Sequence, residues 1–335
     1  MAEKFSRPVL ADRFGRRIDY VRISVTDRCD LRCRYCMAEE MSFLPRSQIL
    51  TLDEIGVIAD RFIRRGVRRI RLSGGEPLVR RDFTELAHRI GRNLGHGLDE
   101  LTLTTNGTQL ARFAADLQAA GMRRINVSLD SLKPETFAHI SRRDRLADVL
   151  EGLAAARAAG LHIKINMVVM RGINDGEVLD MLRWCDAQGH DLTVIETMPL
   201  GDVADDRADH YMPLHEALAP VRAEHGLLPT DHRTGGPARY FAVEGMQARL
   251  GLITPMSDNF CAGCNRIRLT CQGRIYMCLG HEDHVDLMTA FRTGGADALD
   301  ALLDEALSAK PLRHDFVIGA GAAPATRRHM SVTGG

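Results

Sequence analysis

Short runs rich in β-branched residues recur along the first two thirds of the chain. Each is followed by a stretch in which apolar positions return every three or four residues. The runs at 21–26, 69–73, 101–105, 125–129, 163–169 and 193–196 predict strands. The stretches at 52–65, 83–91, 110–120, 147–159 and 177–187 predict helices. Thr51 ahead of Asp53 and Glu54 supplies a start signal, and Gly66 and Gly160 supply stops. Six β–α alternations imply a parallel sheet with helices outside it. Six units fall short of the eight of a closed barrel, so the expected core is a partial, open (β/α)6, TIM-like barrel. In such folds the reactive groups sit at the C-terminal ends of the strands.

The alternation stops after Pro199. Residues 200–210 form a polar, acidic stretch, and 212–225 has the pattern of one more helix. Gly and charge concentrate at 231–237, which reads as a boundary. Beyond it come short alternating runs at 239–243, 248–253, 266–271 and 274–278, then a helical pattern at 296–309. The expected organisation is a barrel over 1–232 and a smaller α+β domain over 233–335. No internal repeat or low-complexity segment interrupts it.

Composition narrows the function classes. Lys+Arg and Asp+Glu both number 44 in a chain of 335 residues, a balance that argues against a dedicated nucleic-acid protein. It leaves room for a local basic pocket around a small polyanion. No apolar run reaches the ~18 residues of a membrane helix. The first residues, Met1-Ala2-Glu3-Lys4-Phe5-Ser6-Arg7-Pro8, have no apolar signal core. The expectation is a cytoplasmic protein with reduced thiols and no membrane partner.

In that setting the eight cysteines point to chemistry. Cys29, Cys33 and Cys36 follow the first predicted strand as CxxxCxxC, while Cys261, Cys264 and Cys278 form CxxC-x13-C in the last third. Close spacing lets one loop supply three thiolates to an iron–sulfur cluster. Three ligands on a four-iron cube leave one iron open, as catalytic metal sites do. A zinc site or plain buried thiols are the alternatives for the first triplet, but CxxxCxxC is not the usual zinc spacing. For the second triplet, residue types alone favour zinc completed by Cys271, His281 or His284. Cys185, beside Trp184 in a helical pattern, reads as a buried structural thiol.

CxxxCxxC with Tyr35 before its last cysteine resembles the radical S-adenosylmethionine enzymes. Gly74-Gly75-Glu76-Pro77, one β–α unit later, resembles the element that binds the methionine amino group in that superfamily. With the second triplet included, nearly the whole chain resembles the GTP 3′,8-cyclase family, the molybdenum cofactor biosynthesis proteins A. The matching stretches are 15–37, 71–82, 103–108, 126–131, 164–175, 196–201, 259–268 and the final Gly334-Gly335. Asp30 and Ser73 stand where this family usually carries Asn and often Thr.

The resemblance implies two 4Fe-4S clusters, with S-adenosylmethionine chelated by the open iron of the first. Its reductive cleavage gives a 5′-deoxyadenosyl radical that takes hydrogen from the ribose 3′ carbon of GTP, which then attacks guanine carbon 8. The second cluster leaves an iron open for the purine. Implied partners are GTP, a flavodoxin- or ferredoxin-type electron donor and a downstream pyranopterin-forming enzyme, with the chain a homodimer or a monomer.

For S-adenosylmethionine the family points to Tyr35, Gly75, Ser128 and Met198. For GTP it points to Arg22, Arg71, Thr104, Lys164, Arg266 and Arg268, of which the four arginines would also serve catalysis. The planar fork of Arg suits phosphate oxygens. Spacing supports part of this set. Arg266 and Arg268 share one face of a predicted strand, and Arg22 shares a face with Ser24 and Thr26. The denser run Arg61, Arg64, Arg65, Arg68 and Arg69 reads instead as a solvated face. The same resemblance implies that the Gly334-Gly335 tail threads into the active site, against the plainer expectation of a frayed end.

Overall fold

The computed structural model describes residues 9–203, 207–319 and 321–334. Six β–α units come first: β1 (Tyr20–Ser24), α1 (Leu52–Arg64), β2 (Arg69–Ser73), α2 (Phe83–Gly91), β3 (Glu100–Thr105), α3 (Leu110–Ala119), β4 (Arg124–Ser128), α4 (Pro134–Ser141), α5 (Leu146–Ala158), β5 (His162–Val169), α6 (Val178–Gln188) and β6 (Asp191–Glu196). The strands form because their β-branched residues are buried on both faces of a parallel sheet, as β1 shows throughout. The helices lay one apolar face on it. In α1 the buried positions are Ile55, Ile58, Ala59, Phe62 and Ile63. Its start is fixed by a capping box in which Thr51 Oγ1 accepts from Glu54 N (3.1 Å) and Glu54 Oε2 accepts from Thr51 N (2.7 Å).

The last third supplies α7 (Arg207–His210), α8 (Leu214–Ala217), α9 (Ala219–Glu224), β7 (Leu227–Pro229), β8 (Arg239–Val243), β9 (Arg249–Ile253), β10 (Arg266–Leu269), β11 (Arg274–Tyr276), β12 (His284–Asp286), α10 (Leu287–Gly294), α11 (Ala298–Ser308) and α12 (Met330–Thr333). All twelve strands join one sheet in the order β12-β11-β10-β1-β2-β3-β4-β5-β6-β9-β8-β7. The central strands run parallel from β10 to β9, with antiparallel strands at each end. Among the described residues β12 and β7 do not pair, so the barrel is open. No helix of the described residues is long and apolar enough to cross a membrane.

Three local expectations change. The helix foreseen over 212–225 is two, α8 and α9, meeting at Leu218. Pro220 has no N–H to continue the first and fits the opening turn of the second. Helix α4, not foreseen, starts with Pro134 and is only eight residues long. The third change concerns the arginine run of α1. Arg64 and Arg68 are exposed, but Arg65 is buried, 3.1 Å from Asp300 of α11 and also paired with Asp304. Arg61 joins them, 3.2 Å from Asp300. This face is a clasp between α1 and α11, with Coulombic and packing contributions that a solvated face would lack.

Candidate active site

The CxxxCxxC loop leaves the C-terminal end of β1. Cys33 O accepts from Cys36 N (2.9 Å) and Met37 N (3.2 Å), which closes a turn between the last two cysteines. The loop is pinned by Arg32 N and Arg34 N, which donate to Ser141 O and Ile140 O at the end of α4. It also lies against the turn after β2. Gly75 N donates to Thr26 O and Glu76 N to Arg28 O, each at 2.8 Å. A Cβ on Gly74 would collide with Thr26 O, and one on Gly75 with Arg28 O, so the close approach of the two loops needs both glycines. Glu76 is fully buried and accepts from Leu78 N, Thr105 Oγ1 and Asn106 N, which locks the turn onto β3. Burial pushes its carboxyl up to about 7.

The second triplet comes from β10 and its neighbours. A 3-10 turn, closed by Cys264 N donating to Cys261 O (3.0 Å), pairs the first two cysteines, and Cys278 follows β11. The residues fit clusters by their donors. Asn106 Nδ2 stands 3.6 Å from Cys29 Sγ, and Lys310 Nζ stands 3.6 Å from Cys264 Sγ, outer contacts of the kind that cluster sulfurs accept. In each case the free thiol stands for the cluster-bound thiolate. Burial pushes up the thiols of Cys33 and Cys36, the latter to about 12. At Cys264 burial also raises the thiol, but Arg266 and Lys310 outweigh it and leave the thiol below its ordinary value.

The described residues contain no set of three His, Cys, Asp or Glu gathered as a single ion requires. A four-iron cluster takes one cysteine at each of three corners. The two histidines that follow the second triplet in sequence each meet a backbone carbonyl through one ring nitrogen. His281 Nε2 lies 3.2 Å from Arg313 O, and His284 Nδ1 lies 2.8 Å from Glu282 O. Cys271 is fully buried, does not line the cavity with the other three, and is pushed up to about 12 by burial and by Asp27. Cys185 is likewise fully buried in α6.

Beside the second triplet lies a cavity that reaches Tyr35 of the first cysteine loop. Its wall brings together Arg22, Tyr35, Arg71, Thr104, Ser128, Lys164 and Met198 with Cys261, Cys264, Cys278, Arg266 and Arg268. Strand register explains the gathering. Arg22 stands beside Arg71 on one side and Arg268 on the other, and Asn126 beside both Thr104 and Lys164. Gly75 does not line this cavity; it braces the cluster loop behind it. Gly334 reaches the same end of β1 and β2, and its carbonyl accepts from Arg268 Nη1. Gly335 lies outside the described residues.

The cavity is electrically unbalanced. Among the described residues, no carboxylate forms an ion pair with Arg22, Arg71, Lys164, Arg266 or Arg268. The Nε atoms of Arg22 and Arg71, Thr104 Oγ1 and Asn166 Oδ1 are buried without a hydrogen-bond partner. Burial, together with Arg71, Arg124 and Arg22, pushes Lys164 well below its ordinary value, and Arg71 falls to about 10 mainly through burial. Tyr20 sits beneath, its ring 5.5 Å from the Arg71 guanidinium and 5.9 Å from that of Arg22. So many buried, unpaired cations and polar atoms form a site for a polyanion.

Several residues here were not among those expected to form the site. Asp130 accepts from Tyr35 Oη (2.9 Å) and Val168 N (2.8 Å) and so fixes the tyrosine over the cluster loop. Asp30 accepts from Asn106 Nδ2 (2.7 Å) and Thr108 Oγ1 (2.6 Å), which is how a carboxylate is accommodated next to Cys29. Met330 of α12 completes the wall.

Known proteins resemble the chain along the same lines. Residues 23–185 match the Radical SAM superfamily and 190–316 match Molybdenum Cofactor Synthesis C. A GTP 3′,8-cyclase of Erythrobacter litoralis is 56% identical over 97% of this chain and 98% of its own length. One of Rhizobium meliloti is 54% identical over 97% and 94%. Among solved structures, Streptococcus suis SuiB aligns with a TM-score of 0.58 at 15% identity, over 88% of this chain and 66% of SuiB. That likeness speaks to the fold alone. The cyclase relatives are similar from end to end, and the chain belongs to the GTP 3′,8-cyclase family of radical S-adenosylmethionine enzymes.

Proposed function

We propose that the chain converts GTP to (8S)-3′,8-cyclo-7,8-dihydroguanosine 5′-triphosphate, the first step of molybdopterin (molybdenum cofactor) biosynthesis. The observation that carries this reading is the set of buried cations, without carboxylate partners among the described residues, that line one cavity with the second cysteine triplet. When bound, the clusters and S-adenosylmethionine supply reductive cleavage and hydrogen abstraction. The chain's own residues bind, orient and exclude. Arg22, Arg71, Lys164, Arg266 and Arg268 hold the nucleotide's roughly four negative charges by charge-assisted hydrogen bonds, with Thr104 adding a hydroxyl. Tyr35, held by Asp130, joins Ser128 and Met198 around S-adenosylmethionine, and Gly75 keeps the first loop in place. Met198 and Met330 shield the reacting carbons from water.

In this reading residues 1–232 carry the radical step and part of the nucleotide site, and 233–335 carry the second cluster and the rest of that site. The electron comes from a flavodoxin- or ferredoxin-type donor, and the product goes to a pyranopterin-forming enzyme in the cytoplasm. The test is anaerobic incubation with GTP, S-adenosylmethionine and reductant. 5′-Deoxyadenosine and a cyclised nucleotide are expected together, and both must depend on GTP. 5′-Deoxyadenosine formation indifferent to GTP, with no cyclised nucleotide, would overturn the assignment.

A substitution pair tests the cation set. Arg71→Ala is expected to weaken GTP binding or turnover by about ten- to hundred-fold, the worth of a charged hydrogen bond of roughly 1.5–3 kcal/mol. Its unfolding midpoint should stay near that of the unsubstituted chain, because removing one of several mutually repelling cations relieves the site. Arg64→Ala and Arg68→Ala, on exposed positions, should be near neutral. Equal losses from both groups would show that the cavity cations have no special part.

A further inference from the structure

Lys310 follows α11 and is 1% exposed. Its ammonium donates to Arg266 O (3.1 Å), to Met277 O and to Cys264 Sγ (3.6 Å). Those contacts use all three donors of an ammonium. It does not line the nucleotide cavity, so it lies behind the wall and cannot be one of the phosphate-binding cations. Among the described residues, no carboxylate forms an ion pair with it. A buried cation is costly without a counter-charge, and the sulfur of Cys264 is the acidic group it touches.

The position is held from outside as well. Arg16 donates to Cys261 O (2.8 Å), Pro311 O (2.6 Å) and Leu312 O (2.8 Å), strapping the CxxC turn to the segment that carries Lys310. The first triplet has the opposite surroundings. Asp30 lies beside Cys29, and Asp130 reaches that loop through Tyr35.

We propose that Lys310 is a positioning residue for the second cluster, holding Cys264 by an N–H···S hydrogen bond and raising the reduction potential of that cluster above that of the first. The proposal rests on the reading that Cys261, Cys264 and Cys278 hold a cluster. The reasoning is electrostatic. Reduction adds one negative charge to a centre that already carries three thiolates. A fixed cation and an N–H donor stabilise the reduced form more than the oxidised one.

The test is a potentiometric titration of the anaerobic holoenzyme, followed by electron paramagnetic resonance, on Lys310→Met and Lys310→Arg. Both variants should retain the iron of the unsubstituted enzyme. In Lys310→Met the midpoint of the second cluster should fall by about the equivalent of a tenfold change in oxidised-to-reduced ratio, about 59 mV for one electron. Lys310→Arg should recover most of that shift, and the first cluster should not move. An unchanged midpoint in Lys310→Met, or equal shifts in both variants, would overturn the proposal. Should Lys310→Met lose the second cluster, Lys310→Gln carries the test, a lowered midpoint supporting the proposal and an unchanged one refuting it. Absence of a second cluster from the unsubstituted chain would overturn the functional reading, and this proposal with it.

Discussion

Replacing Cys29, Cys33 and Cys36 together by Ala should leave about four irons of about eight and abolish 5′-deoxyadenosine formation. Replacing Cys261, Cys264 and Cys278 should also leave about four, but with cleavage of S-adenosylmethionine retained and no cyclised nucleotide formed. The asymmetry follows from where the triplets stand. The first lies on a loop braced by the Gly74-Gly75 turn and by α4, away from the wall that the second triplet lines. The triplets share no ligand and are fixed by different strands, β1 for one and β10 with β11 for the other. Each cluster should therefore assemble without the other. Iron content, 5′-deoxyadenosine and cyclised nucleotide, measured on the same anaerobic samples, decide the matter. Loss of all iron from either triple variant, with the chain still folded, would mean one shared site rather than two.

Much of this was legible because it is local. Each barrel strand was visible from its β-branched run, and the expected cavity cations sit on strands whose alternation sets their direction. Arg22, Arg71 and Arg268 stand side by side because three strands in register each place an arginine at the same level. What was not legible is long-range. Nothing in 249–253 or 266–269 states that one segment will pair with β6 and the other with β1, yet that pairing brings the second triplet to the barrel mouth. The arginine run of α1 misled for the same reason. Its counter-charges, Asp297, Asp300 and Asp304, lie over two hundred residues away, so the sequence displays the cations without their partners. Lys310 and Asp130 carry no motif, and they are found only once the groups they touch have been assembled around them.

Deleting Gly334 and Gly335 should leave both clusters in place and lower cyclisation by about ten- to hundred-fold, the loss of a hydrogen bond to a charged group. The preceding segment enters the fold rather than fraying. Thr326 and Ala325 bond to the backbone of Gly201 and Pro199, Met330 N donates to Cys36 O (3.3 Å), and α12 buries Ser331 and Thr333. Gly334 then adopts a φ of +73° and lies so close to β2 that a Cβ would strike Ser73 Oγ. Its carbonyl, with that of Thr333 (3.4 Å), accepts from the Arg268 guanidinium. Two backbone carbonyls thus orient an arginine with which no side-chain carboxylate among the described residues forms an ion pair. A carboxylate in their place would neutralise Arg268 and compete with phosphate. Gly334→Ala should behave as a milder deletion, since it keeps the carbonyl but meets Ser73 and a backbone that L-residues rarely adopt. The measurements are iron content, GTP affinity and cyclised product for both variants. Full activity in the truncated chain would show that Arg268 is held by the barrel alone.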